Sequence, residues 1–364
     1  MSNLNHKQII LILLACFGLS SSAFSQFKTE NVVLVTLDGL RWQELFEGAE
    51  AELINDKKYV KHIDETKKSY WRDSPTERRK ILMPFFWSTI AQKGQLYGNR
   101  TKGSNVDCVN TMRISFPGYS EILSGKADDK RIYSNKKINN PNETIIGLAN
   151  RSKKLSGKVA AFGSWDAFPY IINEERAGLY VNAGFRKAKG KTTKVEHCLN
   201  GMIDQIPGIT GDTRFDALTH GFAMETLKKD KPRFLYVAYG ETDNYGHAGN
   251  YEAYLNAAHQ TDANIKELWN YVQNHPKYRG KTTLIITTDH GRGLQSEWTS
   301  HGHSIPKSGE IWIAAIGPDT QALGEITTGQ YYQDQVAQTI ATLLGLDLRA
   351  TDNAVGKEIQ TILK

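Results

Sequence analysis

Five short apolar runs alternate along the chain with longer segments in which apolar residues recur every three or four positions. The short runs are rich in β-branched residues and almost continuously hydrophobic, which is typical of strands buried on both faces of a sheet. They predict strands at Val32–Leu37, Lys158–Phe162, Arg233–Tyr239, Thr283–Thr288 and Ile311–Ile316. Because helical segments separate these strands, the pattern predicts an α/β fold with a mostly parallel central sheet and helices on both faces.

The helical pattern continues over many turns in two segments, Tyr251–Asn274 and Tyr332–Leu344, where apolar residues recur at spacings of three and four. Gly345 directly follows the second segment, as expected at a helix end. Shorter helices are predicted at Pro84–Lys93, Tyr119–Ser124, Thr144–Arg151 and Arg214–Lys229.

Residues 47–80 differ from their surroundings, because Lys, Glu, Asp and Arg dominate and the aromatic residues Tyr59, Tyr70 and Trp71 are interspersed. Two interpretations are open. The segment is either a solvated surface excursion or a lid that recognises substrate. Loop insertions of this kind would add a small cap to the central domain.

The first 25 residues have the features of a secretory signal peptide. Lys7 supplies a positive start, Ile9–Leu19 is an apolar run, and the small residues Ala23 and Ser25 precede Gln26. We therefore predict cleavage near Ser25 and Gln26, and a periplasmic or secreted protein.

A lipoprotein signal is the alternative, with Cys16 as the lipidated residue, although the apolar run continues past it. The expected mature chain, residues 26–364, forms one catalytic domain. None of its apolar stretches approaches the roughly 20 residues that a membrane-spanning helix needs.

The charge balance argues against a nucleic-acid partner. The chain has 45 Lys and Arg against 39 Asp and Glu, a net charge of +6, and loss of Lys7 leaves +5. This excess is small and dispersed, so we expect a small-molecule substrate rather than a nucleic acid duplex, with no prediction about oligomeric state. Cys108 and Cys198 remain after cleavage, and whether they form a disulfide depends on a distance that the sequence does not give.

Acidic residues and histidines follow three of the predicted strands: Asp38, Asp243 with His247, and Asp289 with His290. In open parallel sheets, ligands bind beyond the carboxyl ends of the strands, so we expect these side chains to converge. Asp243 and His247 are four positions apart and would share one helix face. Oxygen and nitrogen donors in this mixture suit two divalent metal ions, Zn²⁺ first, with Mn²⁺ or Fe as alternatives.

Ser115 is the candidate nucleophile. Pro117 and Gly118 are expected to break the chain just before a helix, which would expose the Ser115 hydroxyl at a helix N-terminus, where free N–H groups attract phosphate oxygens. Coordination by a metal would lower the pKa of this hydroxyl without a separate base. The alternative is that Ser115 only caps the helix.

Together these motifs resemble the alkaline phosphatase superfamily, and within it the type I phosphodiesterase/nucleotide pyrophosphatase branch. The resemblance runs from VLVTLDGLR to about GEIWIAAIGP and keeps the order of the family's motifs. It implies that one zinc is held by Asp38, Asp289 and His290, with Ser115 as a further ligand. It implies that the other zinc is held by Asp243, His247 and a late histidine.

His301 is preferred over His303 as that late histidine, because the family's ligand is usually followed by a small residue and shortly afterwards by proline. Asn135 lies about where the branch places an asparagine that contacts phosphate, with Asn139 as a close rival. Trp165 follows a predicted strand and either lines the substrate pocket or plugs the strand end.

The resemblance implies a two-metal phosphohydrolase that acts through a phosphoseryl intermediate on Ser115. Its substrates would be phosphodiesters or nucleotide-type esters. A phosphomonoesterase is the main alternative. Family monoesterases add a basic residue or another metal, and Lys102, Arg113 and Arg176 are conceivable here but match no family motif.

Three other functions, two enzymatic and one non-catalytic, are less compatible with the sequence. Sulfatases of the superfamily carry an arginine where this chain has Tyr119. Cofactor-independent phosphoglycerate mutases carry a large second domain after the nucleophile, for which there is hardly room. A non-catalytic protein that only binds a metal or ligand would be indicated by a missing ligand or nucleophile, and every motif is populated.

Overall fold

A mixed eight-stranded sheet forms the centre of the protein in a computed structural model that describes residues 27–363. The predicted signal peptide and Cys16 lie outside the described residues. The strands are β1 Asn31–Leu37, β2 Gln95–Tyr97, β3 Ser104–Asp107, β4 Val159–Gly163, β5 Val181–Ala183, β6 Phe234–Tyr239, β7 Thr282–Thr288, β8 Ile313–Ile316, β9 Gly324–Glu325 and β10 Gly329–Tyr332.

The strand order in the large sheet is β5-β4-β6-β1-β7-β8-β2-β9. Strands β5, β4, β6, β1 and β7 are mutually parallel, whereas β8 is antiparallel to both β7 and β2. Strands β3 and β10 form a separate parallel pair. The prediction of a mostly parallel central sheet is therefore confirmed.

Helices cover both faces of this sheet. They are α1 Trp42–Glu47, α2 Ala51–Ile54, α3 Ile63–Tyr70, α4 Pro75–Leu82, α5 Ala91–Lys93, α6 Ser115–Ser124, α7 Ile145–Arg151, α8 Phe168–Ile172, α9 Glu174–Ala177, α10 Lys194–Gln205, α11 Asp216–Lys229, α12 Glu241–His247, α13 Tyr251–Asn274 and α14 Gln335–Leu344. A π-helical turn at Phe86–Ile90 precedes α5, and short 3₁₀ turns lie at Arg100–Lys102, Gln295–Thr299 and Gln360–Ile362. Within residues 27–363, no helix is both long enough and apolar enough to cross a membrane.

The alternation of side chains along β1 divides the core into two layers. Val33, Val35 and Leu37 pack into the cluster that includes α11 and α13, whereas Val32 and Leu34 pack into the cluster that includes α6 and α14. Strand β1 is buried along its whole length, as its continuous hydrophobicity predicts.

Most predicted elements appear with shifts of one to three residues at their ends, and α13 has the predicted bounds. Two predictions need correction. The last predicted strand begins at Ile313 rather than Ile311 and runs antiparallel to β7. The helix predicted from Tyr119 begins at Ser115, so Pro117 and Gly118 lie inside its first turn and do not break the chain. Proline is tolerated there because the first N–H groups of a helix have no intrahelical partner.

The polar segment 47–80 is helical rather than a loop, and it includes α2, α3 and α4. Tyr59 and Tyr70 are buried in the core layer of α13, at 6% and 7% exposure. These aromatic residues anchor the segment to the domain, whereas most of its charged side chains are exposed to solvent. The two cysteines in the described chain, Cys108 and Cys198, are free thiols.

Candidate metal and nucleophile site

Two neighbouring parallel strands deliver the first cluster of ligands. Leu37 pairs with Thr288 at the ends of β1 and β7, so Asp38 and Asp289 leave the sheet side by side. The Gly39 N–H donates to Asp289 Oδ1 at 3.0 Å. Gly39 has φ +60°, and a Cβ there would lie 2.8 Å from Asp243 Oδ1, so both the backbone and the packing require glycine.

His290 is the centre of this first cluster. Its Nε2 lies 3.4 Å from Asp38 Oδ1, 3.3 Å from Asp289 Oδ2 and 3.4 Å from Ser115 Oγ. Its Nδ1 lies 2.9 Å from the carbonyl oxygen of Gly291, a bond that places the proton on Nδ1. The Nε2 lone pair is therefore directed at the carboxylates and the serine, as in a metal ligand.

Helix α12 and the segment that follows the 3₁₀ turn Gln295–Thr299 deliver the second cluster. His247 Nε2 lies 3.3 Å from Asp243 Oδ2, one helical turn away, and 2.9 Å from His301 Nε2. His301 Nε2 lies 3.6 Å from Asp243 Oδ1. His301 Nδ1 donates to the carbonyl oxygen of Arg113 at 3.1 Å, which again leaves Nε2 free for a cation.

The structure brings His301, rather than His303, to these carboxylates. The His301 side chain is 6% exposed. The His303 ring is exposed and its Nδ1 lies 3.2 Å from the carbonyl oxygen of Thr111, outside both clusters.

The carboxylates of Asp38, Asp289 and Asp243 are buried close together, and the described residues around Asp38 and Asp289 do not supply enough positive charge to neutralise them. Burial, and then the Asp243 carboxylate, raise the pKa of Asp38 well above its usual range. Burial, and then Asp38, raise the pKa of Asp289 in the same way. Asp38 Oδ1 and Asp289 Oδ2 are buried without a hydrogen-bond partner. Divalent cations would supply both the missing charge and the missing ligand contacts, so the donor set fits them.

Asp243 has a counterion of its own. Burial is the largest single influence and opposes its ionisation, but the Arg292 guanidinium, His247 and His301 together hold the pKa of Asp243 well below its usual range. Arg292 is fully buried, pairs with Asp243, and donates to the carbonyl oxygens of Trp298 and Thr299. The guanidinium is therefore fixed, and it holds Asp243 in place.

Ser115 is the first residue of α6, and the N-cap position belongs to Ile114. Ser115 is therefore not a capping residue, and its hydroxyl points to His290. Gly118 explains how the helix comes so close, because a Cβ there would lie 2.3 Å from the carbonyl oxygen of Asp289. The glycine lets α6 press against the end of β7.

A cavity of about 320 Å³ opens beside Ser115. It is lined by Asp38, Ser115, Asn135, Lys137, Trp165, Thr210, Asp212, Thr213, Gly240, Asp243, Asn244 and His247. Both predicted substrate-binding residues therefore line this cavity. Trp165 Nε1 donates to Asp212 Oδ2 at 2.9 Å, and its ring packs edge-to-face on Phe168. The indole therefore lies at the cavity wall and also covers the core next to the strand end.

Asn135 also contacts the backbone next to Ser115. Its Oδ1 accepts from the Phe116 N–H at 2.9 Å, so its Nδ2 donors are directed elsewhere and are available to a ligand. The rival residue, Asn139, lines an adjoining cavity of about 580 Å³ and not the one at Ser115.

Sequence reasoning missed three residues: Gly39, Lys137 and Arg292. Gly39 and Arg292 directly follow the motifs LD and DHG, so their positions carried a signal, but their partners are remote in sequence. None of the three basic residues named from the sequence lines the cavity at Ser115. Lys102 pairs with Glu325, and Arg176 donates to two backbone carbonyls. Arg113 contributes its backbone carbonyl, which accepts from His301 Nδ1.

Comparison with known proteins gives one family match and several structures with a similar fold. The family model of the Metalloenzyme superfamily matches residues 188–348. The wild-type alkaline phosphatase PafA superposes with a TM-score of 0.57 at 12% identity, over 94% of this chain and 100% of that one. At this identity the superposition shows a shared fold.

Two curated relatives are phosphoglycerate mutases. The chain is 35% identical over 69 residues to the 2,3-bisphosphoglycerate-independent phosphoglycerate mutase of Gracilaria tenuistipitata var. liui, covering 19% of this chain and 12% of that protein. It is 26% identical over 136 residues to the probable mutase of Leptospira interrogans serogroup Icterohaemorrhagiae serovar Lai (strain 56601), covering 34% and 24%. The chain thus spans a quarter or less of the length of these relatives.

Proposed function

We propose that this chain, a member of the alkaline phosphatase superfamily by its fold and its match to the metalloenzyme family model, hydrolyses phosphate esters with Ser115 as the nucleophile. The observation that carries the proposal is the position of Ser115 Oγ. It lies 3.4 Å from His290 Nε2, within the first carboxylate cluster and on the wall of the cavity.

Asp38, Asp289 and His290 would hold one divalent cation together with Ser115, and Asp243, His247 and His301 the other. When bound, two such cations supply positive charge to the oxygens of the transferring phosphoryl group and lower the pKa of a coordinated hydroxyl. Zinc is the first expectation for these ligands, with Mn²⁺ or Fe as alternatives.

The reaction has two displacements at phosphorus. Ser115 Oγ, having lost its proton to water, forms a bond to phosphorus while the bond to the ester oxygen breaks, and that oxygen leaves with the electron pair. Water then attacks the phosphoserine, which restores the Ser115 hydroxyl and releases the phosphate product. Asn135 Nδ2 would hold a non-bridging oxygen in place during both steps.

Phosphodiesters and nucleotide-type esters are the expected substrates from the branch that the motifs resemble. Two alternatives have observations of their own. Lys137 on the cavity wall favours monoesters as well. The matches to phosphoglycerate mutases favour transfer of the phosphoryl group to a second hydroxyl instead of water. We expect export of the protein in either case, because the proposed signal peptide is independent of the substrate.

The test compares bis-p-nitrophenyl phosphate hydrolysis by the zinc-loaded protein, the Ser115→Ala variant and a Ser156→Ala control, in which an exposed serine is removed. Wild type and control should turn over equally. Ser115→Ala should lose at least about a thousandfold in kcat while retaining its metal, because the loss of a nucleophile does not remove the ionised ligands. Equal activity in wild type and Ser115→Ala would refute the assignment of the nucleophile.

A further inference from the structure

The two ends of the central sheet carry opposite charge. Asp38, Asp243 and Asp289 follow the carboxyl ends of β1, β6 and β7. At the amino ends, a Lys or Arg directly precedes each of β4, β6 and β7. We call the surface at the amino ends the basal face and define it by five cations: Lys158, Lys231, Arg233, Lys277 and Lys281.

Backbone contacts hold these cations together, although they come from separate stretches of the sequence. The Arg233 N–H donates to the carbonyl oxygen of Lys158 at 2.7 Å, and the Arg233 guanidinium donates to that of Glu30. The Lys277 ammonium donates to the carbonyl oxygen of Lys231 at 2.6 Å. Neighbouring strands lie about 4.8 Å apart, so β4, β6, β1 and β7 gather this charge within a width of about 15 Å.

Acidic groups among the described residues compensate this charge only in part. Glu30 Oε1 lies 2.9 Å from Lys281 Nζ, and both side chains are about half exposed. Asp230 lies 3.7 Å from Lys229, which is outside the defined face. Asp319 is buried and accepts from backbone N–H groups. The basal face therefore keeps a net positive charge.

Like charges are crowded around Lys277. Partial burial, and then the charges of Lys158, Lys231 and Arg233, lower the pKa of Lys277 below its ordinary value. Lys158 and Lys281 are exposed, and the other three side chains are partly exposed. An anionic surface placed against this face would reach these groups and relieve their repulsion.

The chain also enters the fold at this face. The N–H groups of Lys28 and Thr29 donate to Asp319 just before β1 begins at Asn31. The predicted signal peptide, and the alternative lipid attachment at Cys16, both precede this entry point. An N-terminal segment held at a membrane, during export or by a lipid, would therefore bring the basal face to the membrane. This relationship favours a lipid surface over a nucleic acid or an acidic protein.

We propose that the basal face docks on an anionic phospholipid surface. Strand β1 has 7 residues, so the cluster at its other end lies about 20 Å away and stays accessible when the basal face is covered. Each Lys or Arg near such a surface strengthens binding about fivefold, and salt weakens the attraction. The proposal does not depend on the reaction at Ser115.

The test measures sedimentation of the protein with lipid vesicles. Residues 26–364 are used, so that the apolar run Ile9–Leu19 does not itself bind lipid. Wild type should bind vesicles of phosphatidylcholine with about one third phosphatidylglycerol, and should not bind phosphatidylcholine alone. Its affinity should fall about tenfold or more between about 20 and about 150 mM salt. Binding to both kinds of vesicle alike, or to neither, would overturn the proposal.

Two triple variants separate the basal face from the net charge of the protein. The face variant carries Lys158→Gln, Lys277→Gln and Lys281→Gln, and the control carries Lys57→Gln, Lys61→Gln and Lys68→Gln, three exposed lysines of segment 47–80. The face variant should bind the anionic vesicles about a hundredfold more weakly than wild type. The control has the same net charge and should stay within about threefold of wild type. Equal affinities of the two triple variants would refute docking by this face.

Glu30→Gln gives a result that a misfolded variant cannot imitate. It removes the exposed carboxylate of the basal face and keeps all five cations, so it should bind the anionic vesicles about fivefold more tightly than wild type. Unchanged or weaker binding would contradict the proposal. Binding of wild type to duplex DNA without binding to the vesicles would assign the basal face to a nucleic acid and overturn the lipid partner.

Discussion

The imidazole rings of His290 and His301 lie face to face, with centroids 3.7 Å apart and planes 14° from parallel. Each ring has its Nδ1 bonded to a backbone carbonyl. His290 lies beside Asp38 and Asp289, and its Nε2 is also 3.9 Å from Asp243 Oδ1, the carboxylate that His301 approaches. Two charged imidazoles would repel at this distance. Burial, and then His290, lower the pKa of His301 well below its usual range, so the neutral ring that can bind a cation is favoured chiefly by burial and secondly by its neighbour.

The first prediction compares the two late histidines. His301→Ala should reduce bound zinc from about two per chain to about one and lower kcat at least about a hundredfold, because the second cluster loses a buried donor. His303→Ala is the matched control. It should keep about two zinc ions per chain and the kcat of wild type, because His303 is exposed and outside the clusters. Elemental analysis after gel filtration measures the zinc. Loss of zinc in His303→Ala alone would reverse the assignment.

Metal removal should destabilise the protein. Chelation should lower the Tm by roughly 5–15 °C, since bound cations stabilise only the folded state, and zinc should restore it. Asp38→Asn provides the matched variant. It removes one of the buried carboxylates that repel each other when no cation is bound. The metal-free variant is therefore less destabilised than metal-free wild type, and its Tm should change less on chelation. Calorimetry with and without chelator measures both, and identical Tm values for metal-free and zinc-loaded wild type would argue against a metal site.

Asn135→Ala should lower kcat/KM about tenfold or more, because the variant loses both a phosphate donor and the bond to the Phe116 N–H. Asn139→Ala, in the same segment, should leave kcat/KM within about twofold of wild type because it lines the adjoining cavity. Steady-state kinetics on the diester distinguish them. A larger effect at Asn139 would exchange the two roles.

Asp216 should position the second cluster without touching substrate. Its buried carboxylate accepts from the Gly240 and Glu241 N–H groups at the start of α12 and from the Ser164 hydroxyl. Asp216→Ala should leave these donors unpaired, destabilise the fold by about 2–4 kcal/mol and weaken zinc binding. Urea unfolding and zinc titration measure these effects. Asp230→Ala, at the exposed far end of α11, is the control, and an equally weakened zinc affinity there would contradict this role.

Glu121 should make stability depend on pH. Burial raises its pKa to about 7 in the fold, against backbone hydrogen bonds from Val109 and Asn110 that lower it. The folded state then holds a proton that the unfolded chain releases near its ordinary pKa of about 4.5. The free energy of unfolding should therefore fall between about pH 4.5 and 7, by up to about 3 kcal/mol from this group.

Glu121→Gln should remove that contribution, so the difference in unfolding free energy between wild type and variant should change between pH 5 and 8. Urea titrations at the two pH values measure it. A difference independent of pH would show that Glu121 titrates normally in the fold.

Local patterns in the sequence predict much of the fold. The apolar runs that became β1, β4, β6 and β7 need burial on both faces, which only a covered parallel sheet provides. The i, i+4 spacing of Asp243 and His247 put them on one face of a single turn, because helix geometry alone determines it. The aspartates at strand ends were expected to converge for a similar reason, since parallel strands end at one edge.

Other features depend on contacts between residues that are remote in sequence. Segment 47–80 is polar enough to suggest a loop, yet Tyr59 and Tyr70 find a core layer to bury in. Pro117 and Gly118 suggest an interruption of the helix, but the helix begins before them, at Ser115. Gly118 instead leaves space for the carbonyl oxygen of Asp289, which a Cβ would approach to 2.3 Å. Whether a tyrosine is buried, or a glycine is needed inside a helix, depends on the residues that pack against it, and these are remote in sequence.

The sequence by itself determined the strands, the long helices and the inventory of carboxylates, imidazoles and serine, because these follow from periodicity and residue chemistry. Only the tertiary structure decided which histidine approaches Asp243, which cation lines the Ser115 cavity, and that Arg292 is buried against Asp243. The physical reason is that these pairings depend on distances of a few ångströms between separate elements. Those distances are set by how the sheet and its helices pack, and no local pattern contains them.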